Sequence, residues 1–163
     1  MGSARTTEVR SPGPYNSPVD EIRKAAAARG KQLSLAYAGA LTPAEAHAFM
    51  GAGGKLVDVR TKPELAYVGS VPGAIAVEWQ TYPGGKPNAE FLAELAALVP
   101  QDVPVMCLCR AGARSLSAAQ AATKAGWKEA YNVLEGFEGD KDGNGHRNTV
   151  GGWRKAGLPW VQG

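Results

Sequence analysis

Short, nearly continuous apolar runs recur along this chain at wide intervals, and between them apolar residues return at every third or fourth position. The runs lie at 56–60 (Leu56, Val57, Val59), 75–77, 103–108 (Val103, Val105, Met106, Leu108) and 130–134. An apolar run this short, bounded by turn residues, reads as a strand buried on both faces, the pattern of a parallel sheet. A further short strand is predicted over 34–40. Helical spacing predicts a helix from Pro18 to Arg29, with Ser17 as N-cap, Asp20 closing a capping box and Gly30 as its stop. Thr42-Pro43-Ala44-Glu45 starts a second helix to about 50, and 63–67 reads as a helical turn. Asn88 caps an amphipathic helix through Phe91, Leu92, Leu95 and Leu98. Ser115 opens another through Leu116, Ala119 and Ala122, closed by Gly126, and a short helix is expected around Trp153. Residues 71–74, 82–87 and the Gly-rich stretch 139–149 read as corner and loops. Strands alternating with helices predict an α/β fold, a mostly parallel central sheet with helices on both faces. Residues 1–33 read as an N-terminal arm, partly disordered, with a short helix, and 34–163 as the domain proper.

Composition narrows the classes. With 163 residues, 44% hydrophobic and 20% charged, the chain is long enough for one well-filled core. The net charge of +3 is a mild excess, and its basic residues do not cluster with aromatics, which argues against nucleic acid. No run approaches the ~20 apolar residues of a membrane span. The first 18 residues lack the apolar core of a secretory signal, so the default location is cytoplasmic. Cys107 and Cys109, the two cysteines, are too few and too close for a disulfide framework. With His47 and His146 they match no zinc spacing, and no metal or cofactor is called for.

The most informative stretch is 105–126. A buried strand ends at Cys109, a polar loop of Arg110, Ala111, Gly112, Ala113 and Arg114 follows, and a helix begins. A thiol placed there meets backbone N–H groups suited to an anion. An ordinary thiol is only a few per cent thiolate at neutral pH. A helix N-terminus supplies about 0.3–2 kcal/mol, worth about one unit at ~1.4 kcal/mol per unit, so activation also calls for arginine charge. Gly112 suits a loop whose amides converge. The stretch reads as an anion-binding cradle around a nucleophilic cysteine.

CRAGAR (109–114) resembles the active-site loop of rhodanese-like thiosulfate sulfurtransferases. LVDVR (56–60), Glu64, GSVPGA (69–74), NVLEGF (132–137) and GWRKAGLPW (152–160) resemble further motifs of that family, in its order. The resemblance spans about 34–163 and implies a rhodanese-like α/β domain without a cofactor. The implied reaction is ping-pong sulfur transfer, in which Cys109 takes the outer sulfur of thiosulfate as a persulfide and yields it to cyanide or a thiol. Arg110 and Arg114 would neutralise the sulfonate, and the loop amides of 110–114 would hold the persulfide charge. A protein could replace either small partner, as in a persulfide relay fed by a protein or by mercaptopyruvate. The rival readings are a non-enzymatic interaction module and a cysteine phosphatase or arsenate reductase. The phosphatase loop places arginine six positions after cysteine; here that place is Ser115.

Other residues receive plainer readings. Cys107 could resolve a persulfide, but reads as a buried strand thiol. Asp58, Arg60 and Glu135 are expected to tie strand ends and backbone together, Asp58 and Arg60 through the loop amides or Glu64. Lys62, Trp79, Tyr82 and Lys86 are candidates for the pocket mouth. Asp140 to Gly145 follows the start of a calcium loop, but Gly151 stands where that loop needs a bidentate glutamate, so it reads as a hydrated surface loop. His146 reads as exposed there, and Trp127, Trp153 and Trp160 as packing residues.

Overall fold

The computed structural model describes residues 18–33 and 35–163. The expected N-cap Ser17, the arm before it and Ser34 lie outside the described residues. Five parallel strands form the central sheet: β1 (Gly39–Leu41), β2 (Lys55–Asp58), β3 (Ile75–Ala76), β6 (Val105–Leu108) and β7 (Ala130–Val133). Their order is β1-β7-β6-β2-β3, which puts β6 in the middle. The pair β4 (Gln80–Thr81) and β5 (Lys86–Pro87) forms a separate antiparallel hairpin. The helices are α1 (Pro18–Gln32), α2 (Pro43–Gly51), α3 (Lys62–Tyr67), α4 (Phe91–Leu98) and α5 (Ala113–Ala125).

The near-continuous apolar runs have the predicted cause, because both faces of the sheet are covered. On one face Val57, Val105, Cys107 and Ala130 pack against Phe91, Leu95 and Val99 of the α4 end and Ala118, Ala119 and Ala122 of α5. On the other, Leu56, Met106, Leu108, Tyr131 and Val133 meet Ala26 of α1, Ala46 and Phe49 of α2, and Trp153. Alternation along β6 therefore assigns Cys107 and Cys109 to the α5 side.

Several boundaries differ from expectation for identifiable reasons. The first helix continues through Gly30 to Gln32, because Gly30 is the point of contact: a Cβ there would lie 3.2 Å from Gly39 Cα. The first strand is shorter than 34–40. Asn88 is not the cap of α4; it stands two residues before the N-cap Glu90, whose N–H donates to its Oδ1 at 3.0 Å. Phe91, Leu95 and Val99 carry that helix's burial, while Leu92 and Leu98 stay exposed. Residues 82–87 are the turn and second strand of the hairpin rather than plain loop. Around Trp153 the glycines at 151, 152 and 157 yield successive turns, not a helix, and Trp153 is fully buried with its indole N–H donating to the Pro159 carbonyl at 2.8 Å.

Candidate active site

Cys109 follows directly on the last residue of the central strand, at the carboxyl edge of the sheet where ligands of parallel sheets bind. Its backbone is held from the side of β7: Phe137 N–H donates to Cys109 O at 2.8 Å and Glu138 N–H to Arg110 O at 3.0 Å. Gly136 makes that approach possible, since a Cβ there would collide with the Arg110 carbonyl. The chain then turns through Gly112, whose φ of 117° favours glycine, and enters α5 at Ala113. The helix thus starts two residues before Ser115, the expected opener, and Ser115 lies inside its first turn with its side chain buried.

The loop closes on the sulfur. Gly112 N–H donates to Cys109 Sγ at 3.1 Å, and Ser115 Oγ stands 3.2 Å from the same atom. Behind Ser115, its hydroxyl donates to Asn132 Oδ1 at 2.6 Å, and Asn132 Nδ2 donates to the Gly112 carbonyl at 3.3 Å. Ser115 and Asn132 were not singled out from sequence as site residues. The available signal was an asparagine within an apolar strand, a costly placement unless bonded.

Arg114 makes a bidentate pair with Glu64, at 2.7 and 2.9 Å. Glu64 also accepts from Thr61 N–H at 3.0 Å and Thr61 Oγ1 at 2.9 Å, so α3 and the loop share one carboxylate. Burial opposes charge on Glu64, but the bonds from Arg114 and Thr61 outweigh it and hold its carboxyl down at about 2. The Arg114 charge is thereby matched. Arg110, on the exposed crest, makes no ion pair among the described residues.

A cleft of about 490 Å³ opens beside the loop, lined by Arg110, Arg114, Glu64 and Glu138 on one side and Gln80, Thr81 and Tyr82 of the hairpin on the other. Of the four candidates for its mouth, only Tyr82 lines it. Trp79 packs edge-on against Phe91 with centroids 5.0 Å apart, Lys62 lines a smaller adjoining hollow, and Lys86 lies in β5. Cys109 itself is 1% exposed, so the sulfur lies beneath the loop rather than in the open cleft.

The remaining residues have structural partners. Asp58 and Arg60 form a fully buried pair, Nη2 to Oδ2 at 2.8 Å, with Arg60 also donating to the Gly69 carbonyl and lying 4.2 Å over the Phe137 ring. They bind each other and not the loop amides or Glu64, which is taken by Arg114. Glu135 accepts from Gly152 N–H at 2.9 Å. Burial, and then the neighbouring Cys109 charge, push the Cys107 thiol up to about 12, which makes it inert. Asp142 spends its carboxylate on the N–H groups of Asn144 and His146 and the Thr149 hydroxyl, at 2.8–2.9 Å, fastening its own loop. Among the described residues no three His, Cys, Asp or Glu side chains gather as a metal site, and no helix is long and apolar enough to cross a membrane.

The model of the rhodanese-like domain matches residues 42–142, a span running from the cap of α2 to the loop after β7. The chain belongs to the rhodanese-like domain family. Two uncharacterized proteins, from Rickettsia conorii and Rickettsia montanensis, are each 34% identical to this rhodanese-like chain over 113 residues, covering 64% of it and 80% of theirs. The crystal structure of Rv0390 from M. tuberculosis is 46% identical and superimposes with a TM-score of 0.72 over 78% of this chain and 99% of that one. The polysulfide-sulfur transferase homodimer of Wolinella succinogenes shares the fold, with a TM-score of 0.54 at 20% identity over 92% of this chain and 91% of that one.

Proposed function

We propose that this rhodanese-like domain transfers the sulfane sulfur of thiosulfate to a thiophilic acceptor through a persulfide on Cys109. The observation that carries the reading is a single cysteine sulfur at the end of the central strand, receiving the Gly112 N–H of its own loop. In the first half-reaction the Cys109 thiolate attacks the outer sulfur of thiosulfate. A new S–S bond forms, the S–S bond of thiosulfate breaks, and its electron pair departs with sulfite. The persulfide keeps one negative charge, which a backbone N–H stabilises as it stabilises the thiolate. In the second, cyanide or a thiolate attacks the terminal sulfur and the pair returns to Cys109. Arg110 supplies the unmatched positive charge for an incoming dianion, while Arg114, fixed by Glu64, shapes the loop.

The cleft beside the loop has room for acceptors larger than cyanide. Thiosulfate has five heavy atoms, whereas a cleft of about 490 Å³ falls in the range of sites for drug-sized ligands. A thiol-bearing molecule or the persulfide-bearing segment of a protein fits it, which keeps a sulfur relay as the second reading. Two unpaired cysteines, one of them required as a thiolate, suit a reducing, cytoplasmic setting. The test is thiocyanate formation from thiosulfate and cyanide. Wild-type protein is expected to turn over and to gain the mass of one sulfur atom on Cys109 after thiosulfate alone. Turnover equal to that of Cys109→Ser, or sulfur found only on Cys107, would overturn the reading.

A further inference from the structure

Two polar side chains buried behind the sulfur have no part in the chemistry above. Ser115 is fully buried on the inner face of α5, and Asn132 is 3% exposed in the middle of β7. The contacts of Asn132 lead toward the active loop: Nδ2 to the Gly112 carbonyl at 3.3 Å and Oδ1 from Ser115 Oγ at 2.6 Å. Tyr37, buried in the same cluster, also interacts with its side chain. The Gly112 contact fixes which end of the amide faces Ser115. A carbonyl oxygen only accepts, so the single hydroxyl hydrogen of Ser115 is committed to Asn132. What Ser115 offers Cys109 Sγ at 3.2 Å is therefore a lone pair. A lone pair suits a thiol S–H. It does not suit a thiolate or the inner sulfur of a persulfide, which have no hydrogen and accept bonds.

We propose that Ser115 and Asn132 form a two-position hydrogen-bond switch on Cys109. At rest Ser115 donates to Asn132 and accepts from the thiol. Once the sulfur has lost its proton to solvent, or carries a second sulfur atom, Ser115 turns its hydrogen to Sγ and leaves the amide. Ser115 touches the reacting atom, and Asn132 is a positioning residue that acts through it. The inference rests on the reading of Cys109 as the reacting sulfur, though not on the identity of the donor.

The other charged and titratable groups facing Cys109 come from each neighbouring element. Arg114 of α5 is tied to Glu64 of α3 and interacts with Asp58 at the end of β2. Arg110 lies on the loop crest, Cys107 on the same face of β6, and Tyr37 behind Asn132. Replacing Asn132 alters Tyr37 and the Gly112 carbonyl as well as Ser115, so the decisive comparison varies Asn132 with and without the hydroxyl.

The experiment is the pH profile of iodoacetamide alkylation of the full chain, with Cys107 and Cys109 resolved by fragment masses. Asn132→Leu frees the Ser115 hydrogen for the thiolate and is expected to lower the midpoint for Cys109 by roughly one pH unit, because a charge-assisted bond is about twice a neutral one. Ser115→Ala removes the donor and raises the midpoint, while Ser115→Thr, which keeps the hydroxyl, holds it at the wild-type value. In the Ser115→Ala background Asn132→Leu has no further effect. An equal shift by Asn132→Leu in both backgrounds, or an unchanged midpoint in Ser115→Ala, overturns the switch. Should Asn132→Leu not fold, the contrast between Ala and Thr at 115 decides alone. No sulfur donor enters this measurement, so a failure to make thiocyanate would overturn the proposed function separately.

Discussion

Glu64 serves two elements with one carboxylate, capping α3 through Thr61 and gripping Arg114 of the Cys109 loop. Its carboxyl is held at about 2, below its ordinary 4.5. The native state therefore binds its proton less readily than the unfolded chain. The stabilisation is complete above about pH 4.5 and drains away as pH falls through about 2. Urea midpoints measured across this window are expected to fall more steeply for wild type than for Glu64→Gln, whose amide does not titrate. At pH 7 the variant is expected to be less stable, because a partly buried guanidinium has lost its counter-charge. A parallel pH response in the two proteins would show that Glu64 does not set the acid limit.

At the scale of elements, α1 is joined to the sheet by backbone contact and by ion pairs. Gly30 and Gly39 let the helix and β1 come together. Arg29 Nη1 donates to the Ala40 carbonyl at 2.9 Å while pairing with Glu45 of α2, and Arg23 reaches Glu129 at 2.8 Å. A Cβ at Gly39 would collide with the Ala26 carbonyl inside α1. Gly39→Ala is expected to cost about 1–3 kcal/mol, in the range of overpacked sites, and to speed protease cleavage between Gln32 and Gly39. Unchanged stability and an unchanged cleavage pattern would show that the helix is not anchored there. The hairpin β4–β5 plays a different part, giving the cleft its second wall through Gln80, Thr81 and Tyr82.

Over the whole molecule, what was legible in sequence follows from where the constraint is local. The strands at 55–58, 105–108 and 130–133 announce themselves because a sheet covered on both faces demands unbroken apolar runs. The capping box at Thr42 is a four-residue signal, and the structure contains it. The loop of Cys109 was legible because its motif is contiguous. The hairpin was not, since strands of two residues carry no periodicity and one of them ends in Pro87. Ser115 is not the opener that its residue type suggests, because the left-handed turn at Gly112 lets α5 begin at Ala113, which rotates Ser115 inward. The Glu64–Arg114 pair joins residues 50 apart, a distance that spacing rules do not cross.

That same pair governs how the molecule responds to its surroundings. If Cys109 takes its sulfur from an anionic donor as proposed, Arg114 arrives already matched by Glu64, and the attraction falls to Arg110 on the exposed crest, which shares its cleft wall with Glu138 and is open to screening. The Debye length is ~10 Å at 0.1 M salt and ~3 Å at 1 M. The rate of persulfide formation from thiosulfate is therefore expected to fall gently with ionic strength, as for one cation rather than two, and Arg110→Ala is expected to abolish most of that slope. Equal slopes in the two proteins would place the attraction elsewhere. On that reading loop geometry falls to Arg114 and donor attraction to Arg110, and salt acts more strongly on Arg110, the more exposed of the two.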